Sequence, residues 1–467
     1  MKKKRLYVIA FACCLTLSMF SGCGKKDVDY NVGEDGSSDG SGGEGLAGKL
    51  GVPETIDESL DVGDSGLTSL TIEATEVHMP DTDHMSVVYC TKNEMTAERK
   101  QEIAELLFDK DEGIYAYDYD NRIKSEIQAE LDWCEEEREI EAAEGYDTSW
   151  LDEYESELQS ELASAPEQYP AAEDYEGDDY LGTYNGTEYK LSMYEDGNVY
   201  LIFNGDELQY RPTTVEGATD AYFTYDEDDT DMESNVCEMS ETDAETLALT
   251  LLGELGVSDA VKKSVYPLEW VYYGDSNVVS EEKDGYVFEF ARSIDGATAC
   301  DIGVWNVLNL DTDDGYPDIP VESFYVYVDS NGILELDFQD IFTPTGEVDS
   351  DIELLSFSEL IEQANTSVAQ YYTDYPTDYA KIEFNGAYLT YYISIDEEND
   401  QYMYIPVWVF TEYEEYQDDD WSSYYPDQMV VLDARDGSYI DIVQLSKDLG
   451  TFESYYEADD DEIEFIE

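Results

Sequence analysis

The chain has 467 residues and carries 113 acidic side chains against 23 basic ones, a formal net charge of −90 at pH 7. Nucleic acids and bare anionic membranes are excluded as partners because both would be repelled, which leaves basic proteins, cationic peptides and divalent ions. Hydrophobic residues make up 42% of the chain, and 41 residues are tyrosine. That composition predicts a folded core rather than a disordered acidic chain.

The first 22 residues have the pattern of an export signal. Lys2 to Arg5 are basic, and Leu6 to Phe20 form an apolar run too short for a resident membrane span. Phe20-Ser21-Gly22-Cys23 resembles a bacterial lipobox, in which the cysteine receives fatty acyl chains such as palmitate and becomes the first mature residue. We therefore predict a lipid anchor on Cys23 at the outer face of the cytoplasmic membrane, with an ordinary cleaved signal peptide as the alternative.

Removal of the signal takes away four basic residues and no acidic one, so 19 basic and 113 acidic residues remain, a net charge of −94. Salt or bound cations should therefore stabilise the fold. Residues 23–66 are rich in Gly, Ser, Asp and Glu, which predicts a flexible tether.

Residues 67–165 combine strand and helix patterns. Alternating apolar residues at Leu70 and Ile72, and a β-rich run from Ser86 to Thr91, predict a pair of strands. Acidic amphipathic helices should follow, with apolar stripes at Ile103, Leu106 and Leu107, at Ile123, Ile127, Leu131 and Cys134, and at Leu151, Tyr154, Leu158 and Leu162.

Residues 176–235 form a predicted β-hairpin region. The strands from Tyr189 to Met193 and from Val199 to Phe203 flank Asp196-Gly197, a pair that suits a tight turn. The stretch from Asp226 to Glu241 is acidic and nearly free of apolar residues, which is typical of a linker.

Two similar α+β units follow, at residues 240–345 and 353–445, and an acidic C-terminal tail is predicted at 446–467. Ser240 with Asp243, and Ser356 with Glu359, each predict a helix start. Each helix precedes strands and a hairpin, Phe324 to Phe338 in the first unit and Met429 to Val443 in the second. We expect a helix laid across an antiparallel sheet in each, by duplication or as two unrelated segments.

The second half of the chain resembles a known family of surface modules. GYVFEFAR, YVYVDSNGIL, LTYYISIDEENDQYMYIPVWVF and MVVLDARDGSYI are similar to the PepSY-type modules of the Yyc regulators, which act on a histidine kinase outside Gram-positive cells. The whole chain resembles uncharacterised clostridial lipoproteins of the same layout. The resemblance covers residues 240 to 445 and implies a non-enzymatic regulatory or inhibitory role at the cell surface, with no catalytic residues to carry over. Unlike those regulators, this chain has a predicted lipid anchor in place of a transmembrane helix.

Some residue patterns suggest chemistry. Four cysteines remain in the mature chain beside Cys23, and their spacing is not that of a metal site. Buried free thiols are the default expectation, although three disulfide pairings are possible. The cysteines are Cys90, Cys134, Cys237 and Cys300.

An acidic loop approaches the ligand pattern of a calcium site, but its glycine comes one residue early and no glutamate follows at the twelfth position of the pattern. The loop is therefore expected either to bind divalent cations weakly or to be solvated. Its carboxylates are Asp311, Asp313, Asp314 and Asp318.

Binding is the function that this sequence favours. Trp421, Tyr424 and Tyr425 form an aromatic loop, and we predict that it contacts a ligand or partner. Tyr402 to Phe410 is also aromatic, but one face of that strand is expected to be core. The leading hypothesis is a regulator that contacts another exported or membrane protein, the second is a solute or glycan receptor, and a hydrolase would need a pair of buried carboxylates that the sequence does not single out.

Overall fold

The structure is a computed structural model with an α+β fold. It describes residues 45–92, 95–118, 121–194, 197–203, 211–213, 215–226, 229, 231–274, 277–300, 315–317, 319, 321–339, 342–377, 379–396, 401–412 and 427–454.

The helices within these residues are α1 Leu46–Leu50, α2 Ala97–Leu107, α3 Lys124–Glu144, α4 Ser149–Leu162, α5 Glu241–Glu254, α6 Phe357–Asp374 and α7 Ile442–Leu449. The strands are β1 Glu58–Ser59, β2 Ser69–Ile72, β3 Val87–Lys92, β4 Ile114–Ala116, β5 Asp179–Tyr184, β6 Thr187–Met193, β7 Val199–Phe203, β8 Arg211–Pro212, β9 Asp220–Thr224, β10 Ala260–Gly274, β11 Asn277–Ile294, β12 Ala297–Thr298, β13 Gly315–Tyr316, β14 Ser323–Asp329, β15 Gly332–Gln339, β16 Phe342–Asp349, β17 Lys381–Phe384, β18 Gly386–Asp396, β19 Gln401–Glu412, β20 Gln428–Asp433 and β21 Glu453–Ser454.

The chain divides into two compact units. Residues 94–209 form the smaller unit, and the residues on both sides of them form the larger one. This division cuts across the predicted regions 67–165 and 176–235, because β2 and β3 belong to the larger unit while β5, β6 and β7 belong with the helices of the smaller one.

The smaller unit contains helices α2, α3 and α4 and an antiparallel meander, β4-β5-β6-β7. The predicted hairpin is present as β6 and β7, with Met193 opposite Val199. A further hairpin joins β5 to β6 through Asn185 and Gly186, which both have positive φ as a tight turn of this kind requires. Gly182 on β5 allows close packing of Phe108, since a Cβ there would lie 2.3 Å from the phenyl ring.

The first sheet of the larger unit has the antiparallel order β15-β14-β11-β10-β9-β8. Helix α5 begins where Ser240 Oγ accepts a hydrogen bond from the Asp243 amide at 3.2 Å, as the sequence predicts. The helix packs across this sheet and buries Ala244 and Leu252. A helix on one face of an antiparallel sheet is thus present over residues 240–339.

The second sheet has the order β16-β3-β19-β18. One edge of β19 pairs with two strands: β3 pairs with its residues 402–404, and β20 pairs with its residues 407–412. Helix α6 begins at a capping box of Ser356 and Glu359, as predicted. Trp408 is 1% exposed, and its ring lies 5.9 Å from the Phe357 ring of α6. The aromatic face of β19 is therefore core, which confirms the expectation for Tyr402 to Phe410.

The predicted strand pair before residue 92 is wrong in its pairing. Strand β2 pairs antiparallel with β1 and parallel with β17, whereas β3 lies between β16 and β19. Each of the two strands has a partner that is 250 or more residues away, and local patterns carry no information about pairing at that distance.

Part of the predicted tether is also wrong. From residue 45 onward the chain contains α1 and β1, and the side chains of Leu46, Ile56 and Leu60 are buried in the core of the larger unit. A few apolar residues are sufficient to hold a Gly-rich, acidic stretch against the fold, because their side chains cover apolar surface of the remaining core.

The predicted hairpin from Met429 to Val443 has only its first strand, β20. Tyr439 makes a single bridge to Leu432, and Asp441 then accepts a hydrogen bond from the Gln444 amide at 2.9 Å as the N-cap of α7. Asp441 caps a helix because its carboxylate satisfies an amide that has no partner in the first turn. The predicted tail therefore begins inside a helix.

A buried ionic network connects the two sheets of the larger unit. Arg292 of β11 donates to both oxygens of Glu322, at 2.6 and 2.8 Å, and to the carbonyl of Phe342 on β16. Glu322 also accepts from the Phe342 amide and from the hydroxyl of Tyr404 on β19. Burial, reinforced by the charge of Glu322, raises the pKa of the neighbouring Cys90 thiol to about 12.

Candidate protein-binding surface

Several residues that the sequence singles out lie outside the described residues, and the interpretations attached to them stay predictions. They are the predicted lipidation site Cys23, the aromatic loop Trp421, Tyr424 and Tyr425, and the acidic loop Asp311, Asp313, Asp314 and Asp318.

The described cysteines and carboxylates do not form a metal centre. Cys90, Cys134, Cys237 and Cys300 are free thiols. Within the described ranges, no group of three or more His, Cys, Asp or Glu side chains is arranged to hold a metal ion. None of the helices in the described part of the chain has the length and apolar character that a membrane span requires.

A two-helix hairpin in the smaller unit carries the most distinctive described surface. Helix α3 ends at Gly145, whose φ of 84° is left-handed and typical of a helix C-terminus. The Tyr146 amide closes the last turn on the Glu141 carbonyl at 2.9 Å, and the Ser149 amide bonds to the Asp147 carboxylate at 3.0 Å at the start of α4. This backbone hydrogen bond, with a side-chain bond from Ser149, lowers the pKa of Asp147.

The inner faces of α3 and α4 form a small core of their own. Ile127 and Cys134 of α3 meet Leu151 and Leu158 of α4, and all four are buried. Leu131, Tyr154 and Leu162 pack around them. These are the apolar stripes that the sequence predicts, so the faces that meet follow from the periodicity. The helices are antiparallel because only residues 145–148 connect them.

Ion pairs fix the two helices to each other. Arg138 of α3 pairs with Asp152 at 3.0 Å and with Glu155, both on α4. Arg122, just before α3, pairs with Glu161 of α4 at 2.7 Å. These pairs add to the apolar core and join the two helices at two points along their length.

Large apolar side chains lie on the outside of this hairpin. Trp133 is 44% exposed, Ile140 is 55% exposed and Trp150 is 43% exposed. We call these three residues the tryptophan patch. The Trp133 and Trp150 rings lie 6.3 Å apart at an angle of 54°, and Tyr146, in the loop between the helices, is 64% exposed.

The indole of Trp150 is held in place by the opposite helix. Its Nε1 donates a hydrogen bond to Glu141 Oε2 of α3 at 2.9 Å. Trp133 and Ile140 are seven residues apart on α3, which places them on one side of the helix two turns apart. The patch is thus a row along α3 with Trp150 packed beside it.

Charge surrounds the tryptophan patch. Residues 124–162 contain 15 acidic and two basic residues, a net charge of −13. The two basic residues already have partners, because Arg138 pairs with α4 and Lys124 pairs with Glu167. The surface therefore combines exposed aromatic rings with a strong negative field.

The sequence predictions missed this surface, although the sequence contains a signal for it. Trp133 stands next to the apolar stripe residue Cys134, and Trp150 stands next to Leu151. Both tryptophans therefore lie outside the stripes on helices whose outer faces are otherwise acidic. A large aromatic residue at such a position is a marker of an interface.

Comparison with known proteins does not place the chain in a family. No protein-family model and no curated protein matches it. The crystal structure of an uncharacterized protein from Eubacterium rectale ATCC 33656 is similar over 84% of this chain and 97% of that chain, with 15% sequence identity and a TM-score of 0.40. A similarity of this degree carries no argument about function.

Proposed function

We propose that this chain is a lipid-anchored, extracytoplasmic binding or regulatory protein that contacts another exported or membrane protein through the tryptophan patch. The observation that carries the proposal is the exposure of Trp133, Ile140 and Trp150 together on one helical hairpin. Clustered exposed apolar side chains with a polar rim are characteristic of protein interaction sites.

Two sequence features supply the location. The signal pattern and Cys23 support attachment to the outer face of the membrane, and the part of the predicted tether before residue 45 would give the folded units reach from that surface. The proposal is non-enzymatic, and it needs no cofactor.

Site-specific photo-cross-linking on intact cells tests this function. A photoreactive amino acid replaces Ile140, at the patch, or Tyr194, which is also in the smaller unit and is 39% exposed. We expect a discrete cross-linked protein from position 140 that is not obtained from position 194. The cross-link should disappear when Trp133→Ala and Trp150→Ala are introduced together, because both aromatic anchors are then removed.

Equal cross-links from both positions, or none from position 140 in cells that display the protein, would refute the proposal. In that case the receptor hypothesis is tested next, by titrating soluble glycans and solutes into the chain from residue 24 onward. A Cys23→Ala chain that is still labelled by radioactive palmitate would refute the anchoring part alone.

A further inference from the structure

We infer that the partner of the tryptophan patch presents a basic amphipathic helix. The inference rests on the proposed function and names the chemistry of the bound segment: an apolar stripe bordered by Lys and Arg. Three features of the α3–α4 hairpin lead to it, namely its charge, the character of its exposed side chains and their spacing.

The charge of the hairpin determines the sign of the charge expected on the partner. The net charge of −13 over residues 124–162 repels any acidic segment and attracts a basic one, and this attraction also accelerates encounter. A second copy of this chain would bring an equally acidic hairpin to the interface. Self-association through this surface is therefore disfavoured.

The side chains decide the type of contact. Trp133 and Trp150 present more than two fifths of their surface to solvent, so their rings are accessible to apolar side chains. An indole face also attracts ammonium and guanidinium groups. The same two rings therefore suit both parts of a basic amphipathic segment, and Glu137 and Glu141 lie on α3 between Trp133 and the end of the helix.

The spacing decides the conformation. Trp133 and Ile140 are two helical turns apart, about 10 Å along the axis of α3. Apolar residues seven positions apart on a partner helix have the same separation, so a helix lying along α3 matches the patch. An extended strand would place alternate side chains about 7 Å apart and would not match both positions.

Peptide titrations test the inference. The probes are a leucine and lysine peptide of about 18 residues ordered as an amphipathic helix, a scrambled peptide of the same composition, and a version with Glu in place of Lys. Each is titrated by calorimetry into the chain from residue 24 onward, which retains every described residue. We expect the ordered basic peptide to bind most tightly and the acidic peptide not to bind.

Variants of the protein locate that binding. Trp133→Ala with Trp150→Ala should weaken binding of the ordered peptide by about tenfold or more, since aromatic anchors dominate interfaces of this kind. Tyr194→Ala, an exposed aromatic residue of the same unit that makes an edge-on ring pair with Tyr200, is the matched control and should leave the affinity unchanged. Glu137→Gln, which leaves the hydrogen bond between Trp150 and Glu141 in place, should reduce the dependence of affinity on salt.

Three results would overturn the inference. Equal affinity for the ordered and scrambled peptides would mean that the chain attracts any cation through its total charge. An unchanged affinity of the double tryptophan variant would place the peptide elsewhere, and tight binding of the acidic peptide would contradict the charge argument. Ile140→Ser provides a second variant, and circular dichroism verifies that each variant is folded.

The two proposals fail separately. A partner cross-linked at position 140 whose contacting segment is acidic or extended leaves the proposed function in place and removes the basic helix. Loss of the site-specific cross-link on cells removes the proposed function, even where a synthetic basic peptide binds.

Discussion

At the scale of single residues, Arg292 is a buried cation that bonds to two carboxylates and a backbone carbonyl. It is enclosed in the protein together with Glu322, and it also neutralises Asp259. Burial alone would lower the pKa of Arg292, but the hydrogen bonds and charge of Glu322 outweigh it and hold that pKa above its usual value. The fold tolerates such a buried pair only when both partners are present, because one partner alone would be a buried uncompensated charge.

Removal of this guanidinium gives the first prediction. Arg292→Met should lower the free energy of unfolding by about 3 to 5 kcal/mol, because Glu322 would remain buried without its partner. Equilibrium unfolding in urea, followed by tryptophan fluorescence, measures this change.

The matched control is Arg99→Met, which removes a surface pair with Glu102 at 3.2 Å. This pair is partly exposed, and its loss should cost about 1 kcal/mol or less. Comparable losses for the two variants would show that the buried network adds nothing specific to stability.

At the scale of elements, local chemistry predicts where the helices of the larger unit begin. Ser356 Oγ accepts from the Glu359 amide, and the Glu359 carboxylate accepts from the Ser356 amide at 3.0 Å. The hydrogen bonds from Ser356 lower the pKa of Glu359. Two amide groups of the first turn of α6 are satisfied in this way.

Loss of this cap gives the second prediction. Ser356→Ala should lower the free energy of unfolding by about 1 kcal/mol, which is the usual cost of an N-cap. Thr366→Ala, which changes an exposed hydroxyl residue in the interior of the same helix, is the control in the same urea titration. The capping interpretation fails if the two substitutions have equal effects.

Elements were predictable where their signals are local. The serine N-caps of α5 and α6, the apolar stripes of α3 and α4 and the turn glycine at Gly197 all act within a few residues, and each lies where the sequence predicts. The pairings of β3 and β17 depend on distant residues and left no local signal. Asp441 shows a third case, because one side chain converts a predicted strand into a helix start.

The candidate surface was predictable only in part. The periodicity predicts the helices that carry it and the acidic character of their outer faces. It does not show that Trp133 and Trp150 meet across the hairpin, since their 6.3 Å separation depends on the register of two helices. Register is a property of packing rather than of either helix alone.

At the scale of the whole molecule, net charge dominates. A chain with a formal charge of −90 repels itself in any compact form, and many basic residues in its described part form ion pairs, such as Lys262 with Glu245. Screening by salt should therefore act on the whole fold rather than on one site.

Salt gives the third prediction. Raising NaCl from about 0.01 M to about 0.15 M, which shortens the screening length from about 30 Å to about 8 Å, should raise the melting temperature measured by calorimetry. An unchanged or lower melting temperature would contradict the repulsion argument. Calcium chloride at matched ionic strength is the comparison, because a shaped site such as the predicted loop of Asp311 to Asp318 would add stabilisation beyond screening.

Strand β3 has a consequence for the synthesis of the protein. Lys92 pairs with Phe342, and Cys90 pairs with Tyr402. Strand β3 lies near the start of the chain, and its partner strands are therefore synthesised much later. Synthesis delivers the chain from its N-terminus, and during that time β3 has unsatisfied edges that invite incorrect pairing or proteolysis. A chain interrupted before β19 would therefore leave its beginning unfolded as well as lacking its end.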